Sequence, residues 1–425
     1  MDIRTSKMDK PIKKENFIHK ISCRICGNSD LVKILDLGKM PLANAFLRKE
    51  DLGDPEPKFP LAIYFCKDCG LLQVLDIINP EILFKHYYYL TSTSKPLANH
   101  FIELGKNLVD RFIESKNDLV IDIGGNDAVL LNSIKNRCRV LNIEPAQNIA
   151  GISREKGVNT IDKFFTAELA EKIFKKYSFA KIVIASNVIA HIDDLKDILE
   201  GVKILIGDNG VFVFEVHWVA NLMGLRGIGG FDQIYHEHLS YFSLLTLKKL
   251  IDQFGLKIFD IKLIPIHGQS LRVYVGKNCK ILDSVKKFLK EEKNLGLDRI
   301  ETYMDFTEKV ERNKNELKNL LWGLKKENKK IVGYGAPAKG NTLLNYFQID
   351  SKILDFIVDD SPLKQGLYTP GTHIPIFSSK KLRKEKPDYL LLLAWNYAES
   401  ILKKEQKLRD KGVKFIIPIP KVKIV

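Results

Sequence analysis

Two matched cysteine pairs near the start of the chain constrain its fold more than any other feature. The pairs are Cys23-x-x-Cys26 and Cys66-x-x-Cys69, and a glycine follows the second cysteine of each. Four thiolates at this spacing can occupy the corners of a tetrahedron, as in a structural zinc site. Because protein ligands would then fill every position, we expect the metal to organise a small module and to take no part in catalysis.

The composition indicates a globular protein of two or three domains. The chain has 425 residues, of which 45% are hydrophobic, and it has no apolar run near the ~20 residues that cross a bilayer. Residues 1–20 are charged and contain no apolar signal-peptide core, so we expect a cytoplasmic protein without a membrane partner. In that compartment paired cysteines more often bind metal than form disulfides.

The formal net charge of +15 could attract nucleic acid, a membrane surface or an anionic small molecule. The basic residues are spread along the chain and form no dense stripe with interleaved aromatics, so we do not expect nucleic-acid binding. A zinc module that binds nucleic acid without catalysis stays open as the non-enzymatic alternative.

Strand and helix patterns alternate twice after the cysteine pairs, which predicts an α/β fold with two Rossmann-like domains. Apolar strands of the kind buried on both faces of a parallel sheet are expected at 119–123, 140–144, 181–185 and 210–215, with a helix from Val129. A helical connector over 281–328 precedes a second strand-turn-helix at 330–344 and strands at 353–358, 389–393 and 415–418. The predicted parts are a polar tail (1–20), a zinc-binding module (21–85), a class I methyltransferase domain that binds adenosylmethionine (86–280), and the connector with a C-terminal α/β domain (281–425).

The segment Asp122-Ile-Gly-Gly-Asn-Asp127 lies between a predicted strand and helix, where Gly124, Asn126 and Asp127 can approach a ligand closely. Glu144 ends the next strand and can accept hydrogen bonds from both ribose hydroxyls of an adenosyl cofactor. The loop has no Walker lysine and no G-x-G-x-x-G, which favours S-adenosylmethionine over ATP or a dinucleotide. A tight turn that needs glycine only for its geometry is the alternative.

Ser186, Asn187 and His191 follow the next predicted strand, where a class I methyltransferase builds the wall around the methyl donor. His191 could equally be a surface helix residue. Lys339 and Asn341 lie in a glycine-rich turn at a helix N-terminus, which predicts an anion site for the diphosphate or base of a sugar nucleotide. A turn shaped only for helix packing is the alternative there.

Tyr235, His236, Glu237 and His238 are consecutive, and each can exchange protons. Histidine is the usual general base near neutral pH, so this segment is the candidate catalytic element. In an extended strand the two histidines would share one face, and Tyr235 and Glu237 would share the other. A His-x-His metal site that includes Glu237 and a buried structural network are the alternatives.

Together these motifs resemble one family, the zinc-containing sugar C-methyltransferases that act on nucleotide-linked deoxyketosugars. The resemblance spans nearly the whole chain. The stretches that carry it are the cysteine pairs, Tyr87-x-Tyr89-x-Thr-Ser-x-Ser94, Asn126-Asp127, Glu144-Pro145, Asn187 to His191, Tyr235-His-Glu-His-Leu-Ser-Tyr-Phe-Ser243, Ser270-Leu-Arg-Val-Tyr274 and Gly333-Tyr-Gly-Ala-Pro-Ala-Lys-Gly-Asn341.

The resemblance implies that His238 is the base that removes a proton beside a ketone, with Tyr235 and Glu237 next to it, His191 in the same site and Tyr89 near the methyl donor. It also implies that the C-terminal domain helps to hold a nucleotide-diphosphate-linked ketosugar. The oligomeric state, monomer or homodimer, stays open. The candidate substrate contacts are His236, Arg272, Tyr334, Lys339 and Asn341. A methyltransferase of a sugar hydroxyl or amine would need a base as well, so it stays open.

The chain departs from the family pattern at three positions. Ala128 stands where the family loop has glycine, Gly125 where it has serine or alanine, and Gln269 where it has glycine. The two loop changes are compatible with cofactor binding. Gln269 lies at the expected edge of the substrate and leaves the identity of the sugar open.

Overall fold

The computed structural model describes residues 17–84, 90–226, 229–266 and 269–425. Tyr89, which the resemblance implies is near the methyl donor, lies outside these ranges. The described strands form four sheets, of two, four, seven and six strands. Within the same ranges, no helix combines the length and the apolar character needed to cross a membrane.

The N-terminal region is a small antiparallel β module that contains the cysteine pairs. Its elements are β1 (Phe17–His19), β2 (Leu31–Met40), β3 (Phe59–Cys66), β4 (Leu72–Val74), β5 (Asp76–Ile78) and α1 (Pro80–Phe84). Strand β4 also pairs with a distant strand, Ser240–Tyr241, through Ser240 opposite Gln73. The segment just before that strand, which contains His238, is therefore attached to the cysteine module.

The middle of the chain forms a twisted seven-stranded sheet between helices. Its elements are α2 (Lys95–Phe112), β6 (Leu119–Ile123), α3 (Val129–Ile134), β7 (Arg139–Ile143), α4 (Gln147–Glu155), β8 (Thr160–Ile161), α5 (Ala167–Tyr177), β9 (Ile182–Ser186), α6 (Leu195–Ile206), β10 (Val211–His217), α7 (Val219–Leu222), β11 (Ser240–Tyr241), α8 (Leu244–Asp252), β12 (Lys257–Ile264) and β13 (Ser270–Gly276). Strand β11 belongs to the cysteine-module sheet and not to this one.

The strand order of the central sheet is β12-β13-β10-β9-β6-β7-β8. The strands from β10 to β8 are parallel, and β13 runs antiparallel to both of its neighbours, β10 and β12. The four strands predicted in this region are all present. Every residue of β6 is buried, because helices cover both faces of a parallel sheet. The strand order reverses around β6, and ligands of such sheets bind at the carboxyl ends of the strands near this point.

The C-terminal region is a second, smaller α/β unit. Its elements are α9 (Asp283–Asn294), α10 (Ile300–Lys326), β14 (Ile331–Tyr334), α11 (Ala338–Phe347), β15 (Ile357–Val358), β16 (Ile376–Phe377), α12 (Leu382–Glu385), β17 (Tyr389–Leu392), α13 (Ala398–Lys404), α14 (Gln406–Arg409), β18 (Lys414–Ile417) and β19 (Lys423–Ile424). The strand order is β16-β15-β14-β17-β18-β19, so this sheet also reverses at its first strand.

Two details of this region differ from the sequence expectation. The strand expected over 353–358 is reduced to the two residues of β15, because Ile353 lies in a turn in which its amide donates to the Asp350 carbonyl. The helical connector also packs back onto the cysteine module, where the Tyr303 ring lies 4.7 Å from the Phe65 ring. One apolar core consequently joins the module, the central sheet and helix α11.

Candidate active site

A cavity of about 1760 Å³ lies where the three parts of the chain meet. Its wall includes the carboxyl ends of β6, β7, β9 and β10, the loops after β14, β15 and β17, and residues 41–57 of the cysteine module. Single-ligand pockets commonly measure roughly 300–1,000 Å³. The cavity is therefore large enough for two ligands side by side.

The predicted cofactor loop forms one wall of this cavity. Asp122, Gly124, Asn126 and Glu144 all line it. The Glu144 carboxylate accepts a hydrogen bond from the Asn126 amide at 3.0 Å, so it holds the loop as well as facing the cavity. Burial raises the pKa of Glu144 to about 7, and burial together with the charge of Glu144 raises the pKa of Asp122 to about 8.

Gly125 is required by close packing at the base of this loop. A Cβ atom at this position would lie 2.3 Å from the Asn142 Oδ1 atom and 2.8 Å from the Asp122 Oδ2 atom. The serine or alanine of the family pattern therefore does not fit here without a shift. Ala128, which replaces the family glycine, has the left-handed conformation that favours glycine, with φ of 56°.

Asp127 does not line the cavity, although the sequence predicted it as a cofactor contact. It is completely buried, and its Oδ2 atom accepts a 2.7 Å hydrogen bond from the Lys156 ammonium group. Lys156 also donates to the Asp127 backbone carbonyl. Asp127 therefore supports the loop from behind through this ion pair.

The Tyr-His-Glu-His segment forms a turn, so the expectation of an extended strand with alternating faces is wrong. The His238 amide donates to the Tyr235 carbonyl at 2.9 Å, which closes the turn. The turn brings Tyr235 and His238 together, with the tyrosine hydroxyl 3.0 Å from His238 Nε2. Tyr235, Glu237 and His238 all line the cavity.

The protonation of the His238 ring follows from its contacts. His238 Nδ1 lies 2.8 Å from the Gln233 carbonyl oxygen, and a carbonyl can only accept, so Nδ1 carries the hydrogen. In the neutral ring Nε2 then has the lone pair and accepts from the Tyr235 hydroxyl. A neutral imidazole in this tautomer can take up a proton at Nε2.

Two further imidazoles surround His238. The His191 ring lies 4.9 Å from that of His238, and its Nδ1 donates to the Glu237 carbonyl at 2.7 Å. Burial lowers the pKa of His191 to about 4, so this ring is neutral. His217, which the sequence analysis missed, ends strand β10 and lies 5.1 Å from His238. The strand-end rule that identified Glu144 could have identified it too.

Glu237 contacts the cysteine module across the cavity wall. Its Oε1 atom accepts a 2.6 Å hydrogen bond from the Asn44 side-chain amide. Burial raises the pKa of Glu237 to about 7. No local pattern marked Asn44, because it lies 193 residues away in the sequence.

The four cysteines converge as the spacing predicted. Their sulfur atoms all lie within 4.8 Å of one another, with 3.4 Å between Cys23 and Cys69 and 3.5 Å between Cys26 and Cys66. A tetrahedral zinc site with Zn–S bonds of about 2.3 Å needs sulfur atoms roughly 3.8 Å apart, so the donor set fits zinc. Across the described part of the chain this is the one group of three or more candidate ligands that converges.

The His-x-His segment does not have the geometry of a metal site. The His236 ring is turned away from His238 and bonds through Nε2 to the Pro60 carbonyl at 3.1 Å. The two histidines and Glu237 consequently do not form a converging set of metal ligands.

Comparison with known proteins agrees with this arrangement. Family models match three consecutive parts of the chain: "Putative zinc binding domain" over residues 23–84, "Methyltransferase domain" over 99–261, and "C-methyltransferase C-terminal domain" over 265–420. The C-methyltransferase NovU of Streptomyces niveus is 35% identical over 407 residues, which cover 95% of this chain and 96% of the relative.

The chain belongs to the C-methyltransferase family. It is an S-adenosylmethionine-dependent enzyme with a Rossmann-like methyltransferase domain, a zinc-binding domain and a second α/β domain.

Solved structures match the methyltransferase part of the chain more weakly. Magnesium protoporphyrin IX methyltransferase from Synechocystis, with bound adenosylmethionine, is 11% identical, with a TM-score of 0.31 over 42% of this chain and 78% of that one. A methyltransferase from Thermotoga maritima is 15% identical, with a TM-score of 0.33 over 43% of this chain and 92% of that one. The family assignment rests on the full-length relative and not on these partial likenesses.

The cavity wall of this C-methyltransferase has polar groups suited to its cofactor. Buried Asp122 Oδ1, Ser186 Oγ and Asn187 Oδ1 have no hydrogen-bond partner among the residues that the structure describes. All three residues line the cavity, as does the Glu144 carboxylate. These acceptors and donors fit the ribose and amino-acid parts of adenosylmethionine.

Four of the five residues predicted to contact substrate lie away from the cavity of this C-methyltransferase. His236 bonds to Pro60 as described, and the Asn341 amide donates to the Ala43 carbonyl at 2.7 Å. The Tyr334 hydroxyl donates to Glu405 at 2.9 Å. The Arg272 guanidinium forms a buried ion pair with Glu215 at 2.7 Å. Each side chain thus has at least one polar atom bonded within the protein, which local sequence could not reveal, although His236 Nδ1 and Asn341 Oδ1 are buried without a partner among the described residues.

Lys339, the fifth of these residues, does line the cavity. Its ammonium group donates to Asn396 Oδ1 at 2.6 Å and lies 3.8 Å from the centre of the Trp395 ring. Burial lowers the pKa of Lys339 to about 8, against the opposing effect of the Asp232 charge. Lys364, which the sequence analysis did not single out, lines the same side of the cavity.

Proposed function

We propose that this C-methyltransferase adds a methyl group to the carbon beside the ketone of a nucleotide-diphosphate-linked 4-keto deoxysugar, with His238 as the general base. The observation that carries the proposal is the Tyr235–His238 pair. It presents an imidazole Nε2 and a phenol hydroxyl to a cavity whose wall also contains Glu144. An acid–base pair beside a methyl donor matches the chemistry that carbon methylation requires.

The reaction starts with removal of a proton. A hydrogen on the carbon next to a ketone is acidic because the remaining electron pair delocalises onto the ketone oxygen. His238 Nε2 takes this proton and becomes an imidazolium, while Nδ1–H stays bonded to the Gln233 carbonyl. A positioned base of this kind contributes about 10²–10⁴-fold in rate.

Tyr235 acts at the same moment. Its hydroxyl bonds to His238 Nε2 in this structure, and the same hydroxyl can donate instead to the developing enolate oxygen. Loss of one aimed donor of this type costs about 3–4 kcal/mol of transition-state stabilisation in other enzymes. Adenosylmethionine supplies the methyl group that the nucleophilic carbon accepts.

The C-terminal wall supports an anionic substrate. Lys339 and Lys364 both line the cavity there. The exposed Tyr397 ring lines the same wall and offers a face on which a nucleotide base can stack. The cationic groups and the cavity volume, which exceeds the needs of the cofactor alone, favour a nucleotide-linked sugar over a free sugar.

The test separates carbon methylation from methylation of a hydroxyl or amine. Calorimetric titration in the presence of adenosylhomocysteine first identifies the nucleotide-linked 4-ketosugars that bind the enzyme. These sugars are then incubated with the enzyme and adenosylhomocysteine in D₂O, and mass spectrometry measures their deuterium uptake. The wild-type enzyme should exchange a hydrogen beside the ketone, and His238→Asn should lose exchange and turnover by about 10²–10⁴-fold. His236→Gln is the matched control, because a glutamine amide can replace the imidazole Nε2 donor at Pro60.

His238→Asn with full turnover would reject the base. Methylated product formed without exchange or loss of a carbon-bound hydrogen would instead favour an O- or N-methyltransferase.

A further inference from the structure

The C-terminal domain reaches into the catalytic segment through one buried hydrogen bond. Trp395 follows strand β17, and its indole Nε1 donates to Asp232 Oδ2 at 2.7 Å. Asp232 is completely inaccessible to solvent, and Trp395 is 5% exposed. The two residues are 163 positions apart in sequence, so this bond joins two domains.

The packing around this bond leaves little freedom. A Cβ atom at Gly230 would lie 2.3 Å from Cζ2 of the Trp395 indole and 2.5 Å from Asp232 Oδ1. The Lys339 ammonium group lies 3.8 Å from the centre of the indole ring. The indole therefore contacts both the catalytic segment and a lysine that lines the cavity.

Asp232 is also next to the residue that orients His238. Residues 231–233 form one turn of 3₁₀-helix, and the Gln233 carbonyl at its end accepts the hydrogen bond from His238 Nδ1. A shift of this turn moves the carbonyl that selects the tautomer of His238. Trp395, Asp232 and Gln233 thus connect Lys339, which lines the cavity, to His238.

We propose that Asp232 is a positioning residue that, through Trp395, ties the tautomer and orientation of His238 to the C-terminal domain. Its effect on turnover rests on the proposed role of His238, whereas its effect on the imidazole does not. The contact also gives the domain that we expect to hold the substrate a physical connection to the base.

A competing explanation lies in the same turn. The Phe231 ring stacks on the Phe347 ring of helix α11 at 4.9 Å, and this apolar contact could hold the turn by itself. The test must therefore remove the indole hydrogen bond and leave the aromatic packing in place.

Trp395→Phe does this, because phenylalanine keeps an aromatic ring but has no N–H donor. Trp322→Phe is the matched control, since Trp322 is 42% exposed on helix α10. The readout is nitrogen-15 NMR of histidine-labelled enzyme with adenosylhomocysteine, in which the His238 signals are assigned by their loss in His238→Asn. The wild type and Trp322→Phe should show the Nδ1–H tautomer, and Trp395→Phe should show averaged nitrogen signals.

Turnover provides the second readout. Misplacement of a reacting group by about 1 Å can cost 10²-fold in rate, so kcat of Trp395→Phe should fall about 10- to 100-fold. The affinity for adenosylhomocysteine should not change, because the cofactor loop is elsewhere. Asp232→Asn, which keeps an acceptor for the indole, should retain the tautomer better than Asp232→Ala.

An unchanged His238 tautomer in both Trp395→Phe and Asp232→Ala would overturn the proposal and assign the turn to the Phe231–Phe347 packing. A wild-type His238 without the Nδ1–H tautomer would also overturn it. Because the NMR readout needs no substrate, failure of the proposed sugar methylation would leave this result interpretable.

Discussion

Arg272 offers the sharpest test of how the fold uses a residue that the sequence predicted to bind substrate. Its guanidinium Nε lies 2.7 Å from Glu215 Oε1, and the two side chains are 9% and 1% exposed. His100 Nε2 lies 3.0 Å from the other carboxylate oxygen. Burial alone would raise the pKa of Glu215, but the His100 hydrogen bond and the Arg272 charge outweigh it and hold the pKa below its ordinary value.

Replacement of Arg272 by leucine leaves the Glu215 carboxylate buried with only His100 beside it. Removal of one partner from a buried ion pair costs about 3–5 kcal/mol of unfolding free energy. Because His100 remains, we expect Arg272→Leu to lower the free energy of unfolding by about 3 kcal/mol, at the lower end of this range. The double variant Arg272→Leu with Glu215→Gln should recover much of this loss, since the uncompensated charge is then gone.

The assay is urea unfolding followed by circular dichroism, with Arg137→Leu as the matched control. Arg137 pairs with Asp110 at 2.8 Å, but these side chains are 51% and 62% exposed. Such surface pairs contribute at most about 1 kcal/mol. If Arg272→Leu unfolds at the wild-type urea concentration and mainly raises the KM for substrate, then Arg272 is a substrate contact and the buried-pair assignment is wrong.

Two further predictions concern the zinc module and the backbone. Removal of zinc by a strong chelator should lower turnover and the melting temperature, because strand β11, which follows His238, pairs with the cysteine module at Gln73. Adenosylhomocysteine should still bind. A metal-free enzyme with full turnover would contradict this prediction. Gln269→Gly should stabilise the protein by about 1 kcal/mol in thermal unfolding. The φ of 80° at this position costs an L-residue roughly 1–2 kcal/mol, and glycine removes this cost. Glycine also makes the unfolded chain more flexible, which subtracts roughly 0.4–1 kcal/mol from the gain. Ala128→Gly is its control, because φ is also positive there, at 56°, but the Ala128 methyl group is fully buried. Loss of that methyl group should offset the gain, and an equal effect of both changes would refute the account.

Local patterns were sufficient to predict the strands and turns that form the candidate cofactor site. The short, largely apolar run at 119–123 predicted strand β6, and a glycine-rich turn followed by Glu144 at the next strand end predicted a nucleotide-type loop. The cysteine spacing likewise predicted a convergent set of thiols, which the structure contains. In each case the signal lies within a short stretch or a repeated spacing.

The same reasoning failed for the segment around His238. A run of four proton-exchanging residues does not reveal whether the backbone extends or turns, and the turn depends on a hydrogen bond between Tyr235 and His238. The partners of the segment are also distant, as with Asn44 from the cysteine module. The tautomer of His238 depends on a carbonyl whose position depends on the same tertiary packing.

The amino-acid sequence by itself determined the convergence of the cysteines, the class of fold, the glycine-rich turn after β6 and the family, because these depend on residue types at fixed spacing. Only the tertiary structure decided which polar side chains face the cavity and which bond to other residues inside the protein. Arg272 and Asp127 carry the charges that a ligand site requires, yet Glu215 and Lys156 neutralise them. A buried charge must find a partner, and the folded chain alone determines whether that partner is a ligand or another residue.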